Sequence, residues 1–157
     1  GTQLLFISAL YILIYLLYTT PVFLSLLFPI ADTMSLLDYD VLEKAVDCML
    51  RSRNIYLVAV SISLDCTWLF KRNMQRLGKT VLLESNNAEQ LCTVLSATVE
   101  DCAIIVTYSG SPVRIQDEAK VLHDKGVPII LLTGLGDNPV RPSSAGHPLF
   151  LLLCRRL

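Results

Sequence analysis

Charged residues are missing from the beginning of this chain. Its first 31 residues contain no Asp, Glu, Lys or Arg, so every charge lies between Asp32 and Leu157. The whole chain of 157 residues has a net charge of −1, which gives it no electrostatic attraction for nucleic acid. The phosphate-binding motifs GxxxxGKS/T and GxGxxG are absent as well, so a nucleotide ligand is not indicated.

Cysteine pairs with the spacing of a metal or redox motif are also missing. The five cysteines are an odd number without a CxxC pair, and the two histidines lie near no cysteine pair. We therefore expect neither a zinc site nor another cofactor. The cysteines are expected to be reduced, mostly buried side chains in a cytoplasmic protein.

The uncharged beginning of the chain has the composition of a membrane-spanning helix. Leu4–Phe28 is mostly apolar and is interrupted near Pro21, which fits one spanning helix with a kink. A fragment boundary, a misassigned start, or helices that pack on the domain or on a partner fit the same pattern. Because the first basic residue after it is Lys44, the positive-inside rule places the remainder in the cytoplasm. We divide the chain into this apolar segment, residues 1–31, and a single domain, residues 32–157.

Strand-like and helical patterns alternate after this segment. Five short apolar runs have the length and composition of buried strands: Ile55–Val60, Thr80–Leu83, Ala103–Tyr108, Val127–Thr133 and Pro148–Leu153. Amphipathic stretches of helical period separate most of them. One of these, Asp65–Leu77, has candidate core positions at Trp68, Leu69, Met74 and Leu77. The alternation predicts an α/β fold, a doubly wound (flavodoxin-like) parallel sheet of about five strands flanked by helices.

The turn between the third and fourth runs is the strongest candidate for a ligand site. It reads Ser109-Gly110-Ser111-Pro112, and we expect Ser111 to be the N-cap of the next helix and Pro112 its first residue. The turn joins the carboxyl end of a strand to the amino end of a helix, where N–H groups and the helix dipole favour phosphate. A plain turn fits the same residues. The buried stripe of the helix is predicted at Ile115, Ala119 and Leu122.

Two further strand ends carry small polar residues. In a doubly wound sheet, ligands bind beyond the carboxyl ends of the strands. The candidate ligand-binding residues at the three ends are Ser61, Ser63, Ser85, Thr107, Ser109, Gly110 and Ser111. Apart from Arg114, no basic residue flanks these turns, so we expect helix ends and hydroxyl groups to hold the phosphate of a small polar ligand.

The order of these segments is similar to that of a known family. The run from Leu36 to Leu83, with KRNMQRLGKTV, and the later run IIVTYSGSP…AKVLHDKGVPIILLTGLGDNP resemble the sugar isomerase (SIS) domain, and most closely that of RpiR/MurR-type bacterial transcriptional regulators. The resemblance covers about Ile30–Asn138, or as far as Phe150 at its longest. It implies a five-stranded parallel sheet, a homodimer, and phosphosugar binding by turns rich in serine and threonine. In such regulators a separate helix-turn-helix binds DNA, while the SIS domain senses the sugar phosphate.

The chain departs from the family pattern at two turns. Ala59-Val60-Ser61-Ile62-Ser63 stands where the family has Gly-x-Gly-Ser-Ser, and Pro112 stands where it has a threonine. Glycine allows a backbone to approach a ligand closely, so Cβ atoms at Ala59 and Ser61 are expected to crowd the site. The helix-turn-helix and the closing helix of the family have no counterpart in the sequence, so we expect a domain truncated at its C-terminus.

Three functions fit these observations. The resemblance implies a non-catalytic regulatory domain that binds a sugar phosphate, forms a homodimer, and contacts DNA only through a helix-turn-helix outside this chain. A phosphosugar isomerase needs a general base, for which the candidates are Glu84, His123 and His147. A domain that has lost ligand binding and serves in dimerisation is the third. An anchor at Leu4–Phe28 would add a membrane contact to any of them.

Overall fold

The structure, a computed structural model, describes residues 31, 33–134, 139–140 and 149–154. The chain divides into two compact units, of which residues 37–154 form one, and residues 1–36 with 155–157 form the other. In the second unit, residues 33–36 are helical. The division predicted after residue 31 stays a prediction. Within the described residues no helix is both long and apolar enough to cross a bilayer, and the predicted span Leu4–Phe28 lies outside them.

The larger unit is built from alternating strands and helices. Its strands are β1 (Asn54–Ala59), β2 (Thr80–Leu82), β3 (Cys102–Val106), β4 (Ile129–Gly134) and β5 (Leu149–Cys154). Its helices are α1 (Tyr39–Arg51), α2 (Ile62–Arg76), α3 (Asn87–Leu95) and α4 (Val113–Asp124). The strands form one parallel sheet in the order β2-β1-β3-β4-β5, which confirms the predicted doubly wound α/β fold.

The register of the sheet decides where the strand ends lie. Ala59, the last residue of β1, pairs with Val106, the last residue of β3, so these two strands end level. Leu82 at the end of β2 pairs with Tyr56, three residues before the end of β1. The segment that follows β2 therefore continues along β1 toward the same edge. All three connections leave the sheet at its carboxyl edge.

Most side chains on both faces of the three central strands, β1, β3 and β4, are buried, as the continuous apolar runs predict. Along the central strands they alternate between two cores. Helices α3 and α4 cover the face that includes Val58, Ile105 and Leu131. Helices α1 and α2 cover the opposite face, which includes Leu57 and Ile104. The helices thus form one layer on each side of the sheet, and α2, α3 and α4 each follow a strand.

Helix α2 turns a different side to the sheet than the sequence predicts. Trp68, Leu69 and Leu77 are 39%, 62% and 76% exposed, so these predicted core positions are wrong. The predicted position Met74 is confirmed, and the inner stripe also contains Leu64 and Phe70, together with the buried Thr67. Thr67 donates its hydroxyl to the Leu64 carbonyl oxygen at 2.6 Å. Because this bond satisfies the hydroxyl inside the helix, a polar residue occupies a core position and shifts the buried stripe.

A buried carboxylate holds β1 and β3 together at the amino edge. Asp101 accepts hydrogen bonds from the backbone N and Nδ2 of Asn54, at 3.1 and 2.8 Å. It also accepts from the backbone N and Oγ1 of Thr98, both at 2.9 Å, and lies 3.5 Å from Nε of Arg53. Burial raises the pKa of Asp101, but the hydrogen bonds from Thr98 and Asn54 and the charge of Arg53 outweigh it, so the pKa lies below its ordinary value.

Candidate functional site

The residues predicted to bind a ligand lie at the carboxyl edge, in three turns that follow the adjacent strands β2, β1 and β3. Their exposure differs: Ser61, Ser85, Ser109 and Ser111 are exposed, Ser63 is half-buried, and Thr107 and Gly110 are buried. The fold therefore brings the three turns to one edge, as predicted. The role of each residue in binding stays a prediction.

The turn after β3 is held in shape by its own side chains. Oγ1 of Thr107 accepts the Gly110 N–H at 3.1 Å, and Oγ of Ser109 accepts the Ser111 N–H at 3.2 Å. Nε2 of Gln116 donates to the carbonyl oxygens of Gly110 and Ser111 at 3.0 and 3.1 Å. Gly110 has a φ of 63°, which favours glycine. Thr107 thus braces the turn from inside, and Ser109 keeps its hydroxyl hydrogen available for donation.

Helix α4 begins one residue later than the sequence predicts. Pro112 is at the N-cap position, so the assignment of Ser111 as N-cap is wrong, and no side chain bonds to this helix end. The reason is that Ser109 accepts the Ser111 amide and draws Ser111 into the turn. The N–H groups of Val113 and Arg114 have no hydrogen-bond partner among the described residues. An uncapped helix end of this kind favours an anion.

The turn after β1 contains an unusual backbone conformation. Ser61 has φ 55° and ψ −136° and is the one residue other than glycine with positive φ in the described part of the chain. It stands where the resemblance leads us to expect a glycine. Its side chain does not cap α2, so this helix end is uncapped as well. Ala59, at the other expected glycine, is buried as the last residue of β1.

The turn after β2 differs because its helix is capped. Oδ1 of Asn86 accepts the backbone N–H of Ala88 at 2.9 Å, at the start of α3. Ser85, the residue predicted to bind a ligand here, precedes this cap and is exposed. The uncapped helix ends at the site are therefore those of α2 and α4.

A buried hydrogen-bonded array joins the three turns, and sequence reasoning missed most of it. Nε2 of Gln90 donates to the carbonyl oxygens of Ala59 and Glu84, at 3.3 and 3.2 Å. Ala59 ends β1 and Glu84 follows β2. Oε1 of the same Gln90 accepts from Nη2 of Arg114 at 2.8 Å, and Nε of Arg114 donates to Oε1 of Glu118 at 3.2 Å. One buried amide thus connects the ends of β1 and β2 to the first turn of α4.

Glu118 is incompletely paired in this array. Its side chain is 0% exposed, whereas that of Arg114 is 24% exposed. Oε1 of Glu118 accepts from Arg114, but Oε2 is buried with no hydrogen-bond partner among the described residues. Burial raises the pKa of Glu118, and the neighbouring Arg114 only partly opposes this effect. The carboxylate therefore holds the guanidinium without the full set of bonds that a buried ion pair usually has.

Of the three candidate general bases, the structure describes Glu84 and His123, and these two lie at opposite edges of the sheet. Glu84 follows β2 at the carboxyl edge, where its backbone carbonyl accepts the Gln90 amide. His123 lies in the last turn of α4, at the amino edge, with Nδ1 3.4 Å from Oδ1 of Asp124. His147 lies outside the described residues. Of the bases that the structure describes, Glu84 alone is at the edge that carries the turns.

Comparison with known sequences finds a regulator. No family model matches the chain. An uncharacterised HTH-type transcriptional regulator of Thermotoga maritima is 24% identical over 117 residues. The match covers 74% of this chain and 41% of the relative, so the chain spans about two fifths of the relative's length.

Solved structures with the same fold include regulators and an enzyme. NanR of Vibrio vulnificus, complexed with ManNAc-6P, has a TM-score of 0.75 and 19% identity over 83% of this chain and 48% of NanR. The sugar isomerase domain of an RpiR transcription factor from Sphaerobacter thermophilus has a TM-score of 0.75 and 18% identity, over 87% of this chain and 75% of that one. A phosphoheptose isomerase from Neisseria gonorrhoeae has a TM-score of 0.68 and 14% identity, over 88% and 87%.

These likenesses define the class of the domain. The chain has the SIS fold, and its predicted resemblance to the SIS domain of RpiR-type regulators is confirmed. The same fold occurs in the phosphoheptose isomerase, so the fold does not separate a sensor from an enzyme.

Proposed function

We propose that this chain is the ligand-sensing domain of a longer, cytoplasmic RpiR-type transcriptional regulator, and that it binds a sugar phosphate. Three polar turns on adjacent strands, beside two uncapped helix ends, carry this proposal. The similarity to the HTH-type regulator of Thermotoga maritima supports the regulatory role, and the similarity to NanR in complex with ManNAc-6P supports a sugar phosphate as the ligand. Because the match spans 41% of the Thermotoga regulator, we place the DNA-binding part elsewhere in the longer protein.

In the proposed complex, the phosphate lies at the amino end of α4. The N–H groups of Val113 and Arg114 point toward this end and lack partners among the described residues. Ser109 donates its hydroxyl hydrogen to a phosphate oxygen. Ser63 donates its own from the start of α2, beside the turn that follows β1. The sugar then lies across the ends of β1 and β3, where Ser61 is exposed.

Thermal unfolding with a panel of sugar phosphates tests this function. A ligand that binds the folded protein raises the melting temperature, so we expect a rise with one hexose or amino-sugar phosphate, such as ManNAc-6P, and none with the unphosphorylated sugar. No rise with any member of the panel would favour the alternative of a dimerisation domain without a ligand. Sedimentation of the same protein measures whether it forms the proposed homodimer.

Serine variants test where the phosphate binds. Ser109→Ala and Ser63→Ala each remove one proposed hydrogen bond to a charged group, worth about 1.5–3 kcal/mol, so we expect affinity to fall about ten- to a hundredfold. Ser96→Ala is the matched control, because Ser96 lies at the amino edge, where its hydroxyl donates to the Thr93 carbonyl oxygen. Titration calorimetry gives the affinities. Equal affinity in the wild type and both site variants would contradict the placement.

An isomerase is the second candidate, and one specific observation favours it. The phosphoheptose isomerase from Neisseria gonorrhoeae shares the fold over 87% of its length, and Glu84 lies at the carboxyl edge. An isomerase that transfers a proton through a base exchanges the hydrogen beside the sugar carbonyl with solvent. Proton NMR in D₂O detects this exchange in a bound sugar phosphate. Exchange that is lost in Glu84→Gln would establish catalysis, whereas binding without exchange supports the sensor.

A further inference from the structure

The groups expected to hold a phosphate at this edge are mostly uncharged donors, and two of their backbone N–H groups are used within the protein. Thr107 and Ser109 accept bonds from backbone N–H groups of their own turn. Pro112 has neither an N–H nor a hydroxyl. The first turns of α2 and α3 carry acidic residues, Asp65 and Glu89. In the three turns and the first helical turns that follow them, all within the described residues, Arg114 is the one side chain with a positive charge.

The guanidinium of Arg114 is held on one side and open on the other. Glu118 accepts from Nε at 3.2 Å, and Gln90 accepts from Nη2 at 2.8 Å. Gln90 is in turn fixed by two backbone carbonyl oxygens, so it cannot move without breaking bonds to two strand ends. Nη1 has no hydrogen-bond partner among the described residues, and the side chain is 24% exposed. A fixed, partly exposed guanidinium with free N–H groups suits a phosphate or carboxylate.

The second observation is the incomplete pairing of Glu118. Its Oε2 is buried without a partner among the described residues, although a carboxylate accepts several hydrogen bonds. Such an arrangement is a poor source of stability, because a buried ion pair needs its remaining bonds satisfied to offset desolvation. Its position does have one clear effect, since it fixes the Nε side of the Arg114 guanidinium.

We propose that Arg114 is a ligand-binding residue that contacts the phosphate monoester of the sugar phosphate, and that Glu118 and Gln90 are positioning residues that hold its guanidinium. This assignment rests on the proposed function and names the group that recognises the anion. In this proposal the phosphate contacts Nη1 of Arg114 and the N–H groups of Val113 and Arg114, so a side-chain charge and a helix end act on one group. The negative charge of Glu118 then works against the phosphate, although it positions the cation.

This arrangement predicts effects of opposite sign for the two members of the ion pair. Arg114→Gln removes the cation and is expected to weaken binding of the sugar phosphate about ten- to a hundredfold. Glu118→Gln keeps an oxygen that accepts from Nε of Arg114 but removes the negative charge, so binding is expected to tighten about three- to tenfold. Arg114→Lys keeps the charge without the planar fork and is expected to fall between the wild type and Arg114→Gln.

The test measures affinity by titration calorimetry with a sugar phosphate and with inorganic phosphate, and melting temperature without ligand. Arg72→Gln is the matched control for Arg114. Arg72 is exposed, and it lies about 15 Å along α2 from the amino end of that helix, away from the site. Glu100→Gln is the control for Glu118, since Glu100 is exposed and lies 3.7 Å from Arg53 at the amino edge. Both controls are expected to bind like the wild type.

Weaker binding in Arg114→Gln together with tighter binding in Glu118→Gln supports the assignment. Unchanged binding in Arg114→Gln overturns the assignment. An equal loss of affinity in both variants, in proportion to their lower melting temperatures, also overturns it, because the array would then only stabilise the fold. If the wild type binds inorganic phosphate through Arg114 but no sugar phosphate, the proposed function fails and the anion site stands. If the wild type binds neither, both fail.

Discussion

Replacing Ser61 by glycine is expected to stabilise the protein, although the change removes a side chain. Ser61 has φ 55° and ψ −136° between β1 and α2, a conformation in which a Cβ atom is crowded. A residue held in such a conformation costs about 1–3 kcal/mol. Glycine adopts it without that strain, but glycine loses more freedom on folding, which costs about 0.5–1 kcal/mol. The expected net gain is therefore up to about 2.5 kcal/mol.

Urea unfolding followed by circular dichroism measures this gain. We expect the midpoint of Ser61→Gly to rise while the slope of the transition stays constant. At about 2–4 °C for each kcal/mol, the melting temperature is expected to rise by up to about 10 °C. Ser63→Gly is the matched control, because it makes the same change two residues later, inside α2. There the backbone is helical, so glycine is expected to destabilise the protein by up to about 1 kcal/mol.

The signs of the two changes decide the question. A gain at Ser61 and a loss at Ser63 would show that the strain lies at one residue and not in the turn as a whole. If Ser61→Gly destabilises the protein as much as Ser63→Gly does, the conformation of Ser61 is not strained, and the description of this turn is wrong.

Two further changes test the edges of the sheet. Asp101→Ala leaves the donors of Asn54 and Thr98 without an acceptor and is expected to cost about 3–5 kcal/mol in urea unfolding. The pKa of Asp101 is lowered in the folded protein, so its contribution to the free energy of unfolding is fully present above the ordinary aspartate pKa. That contribution is lost as the pH falls through the lowered pKa. The stabilities of the variant and the wild type therefore converge in acid. Gly134→Ala would place a Cβ atom 2.6 Å from Cε2 of Tyr108 and is expected to cost about 1 kcal/mol, because the ring is half-exposed and able to move. In a double-mutant cycle, Tyr108→Ala should remove that cost; a cost that persists would place the strain in the backbone.

The sheet was predictable because its strands are apolar on both faces. Short, continuous runs such as Ala103–Tyr108 and Val127–Thr133 have no polar side, so they fit a parallel sheet covered on both sides by helices. The structure confirms these strands as β3 and β4. Because all the strands are parallel, their carboxyl ends lie at one edge, and the three polar turns could be placed together before their contacts were known.

The array of Gln90, Arg114 and Glu118 was missed because its contacts join distant parts of the chain. Gln90 and Arg114 are 24 residues apart and on different helices. Gln90 is buried in α3, whereas a polar side chain such as glutamine is usually exposed, so the sequence does not indicate its burial. A signal for Glu118 was present, since it lies three residues after Ile115 and four before Leu122, within the predicted stripe of α4. A charge inside an apolar stripe indicates a buried partner, and Arg114 is four residues before it.

The departures from the family pattern at the two turns have a common physical consequence. At the first turn, Ser61 carries a Cβ atom where the family has a glycine, which allows a close backbone approach. At the turn after β3, Pro112 supplies neither the hydroxyl nor the N–H of a threonine. Both changes remove short-range contacts, which need a ligand close to the backbone. The guanidinium of Arg114 lies at the end of a long side chain, so on the proposed assignment it binds an anion that lies farther from the crowded turn. On this assignment the site combines the N–H groups at the start of α4 with one positioned charge, and for that reason Gln90 and Glu118, which touch no proposed ligand atom, matter to its affinity.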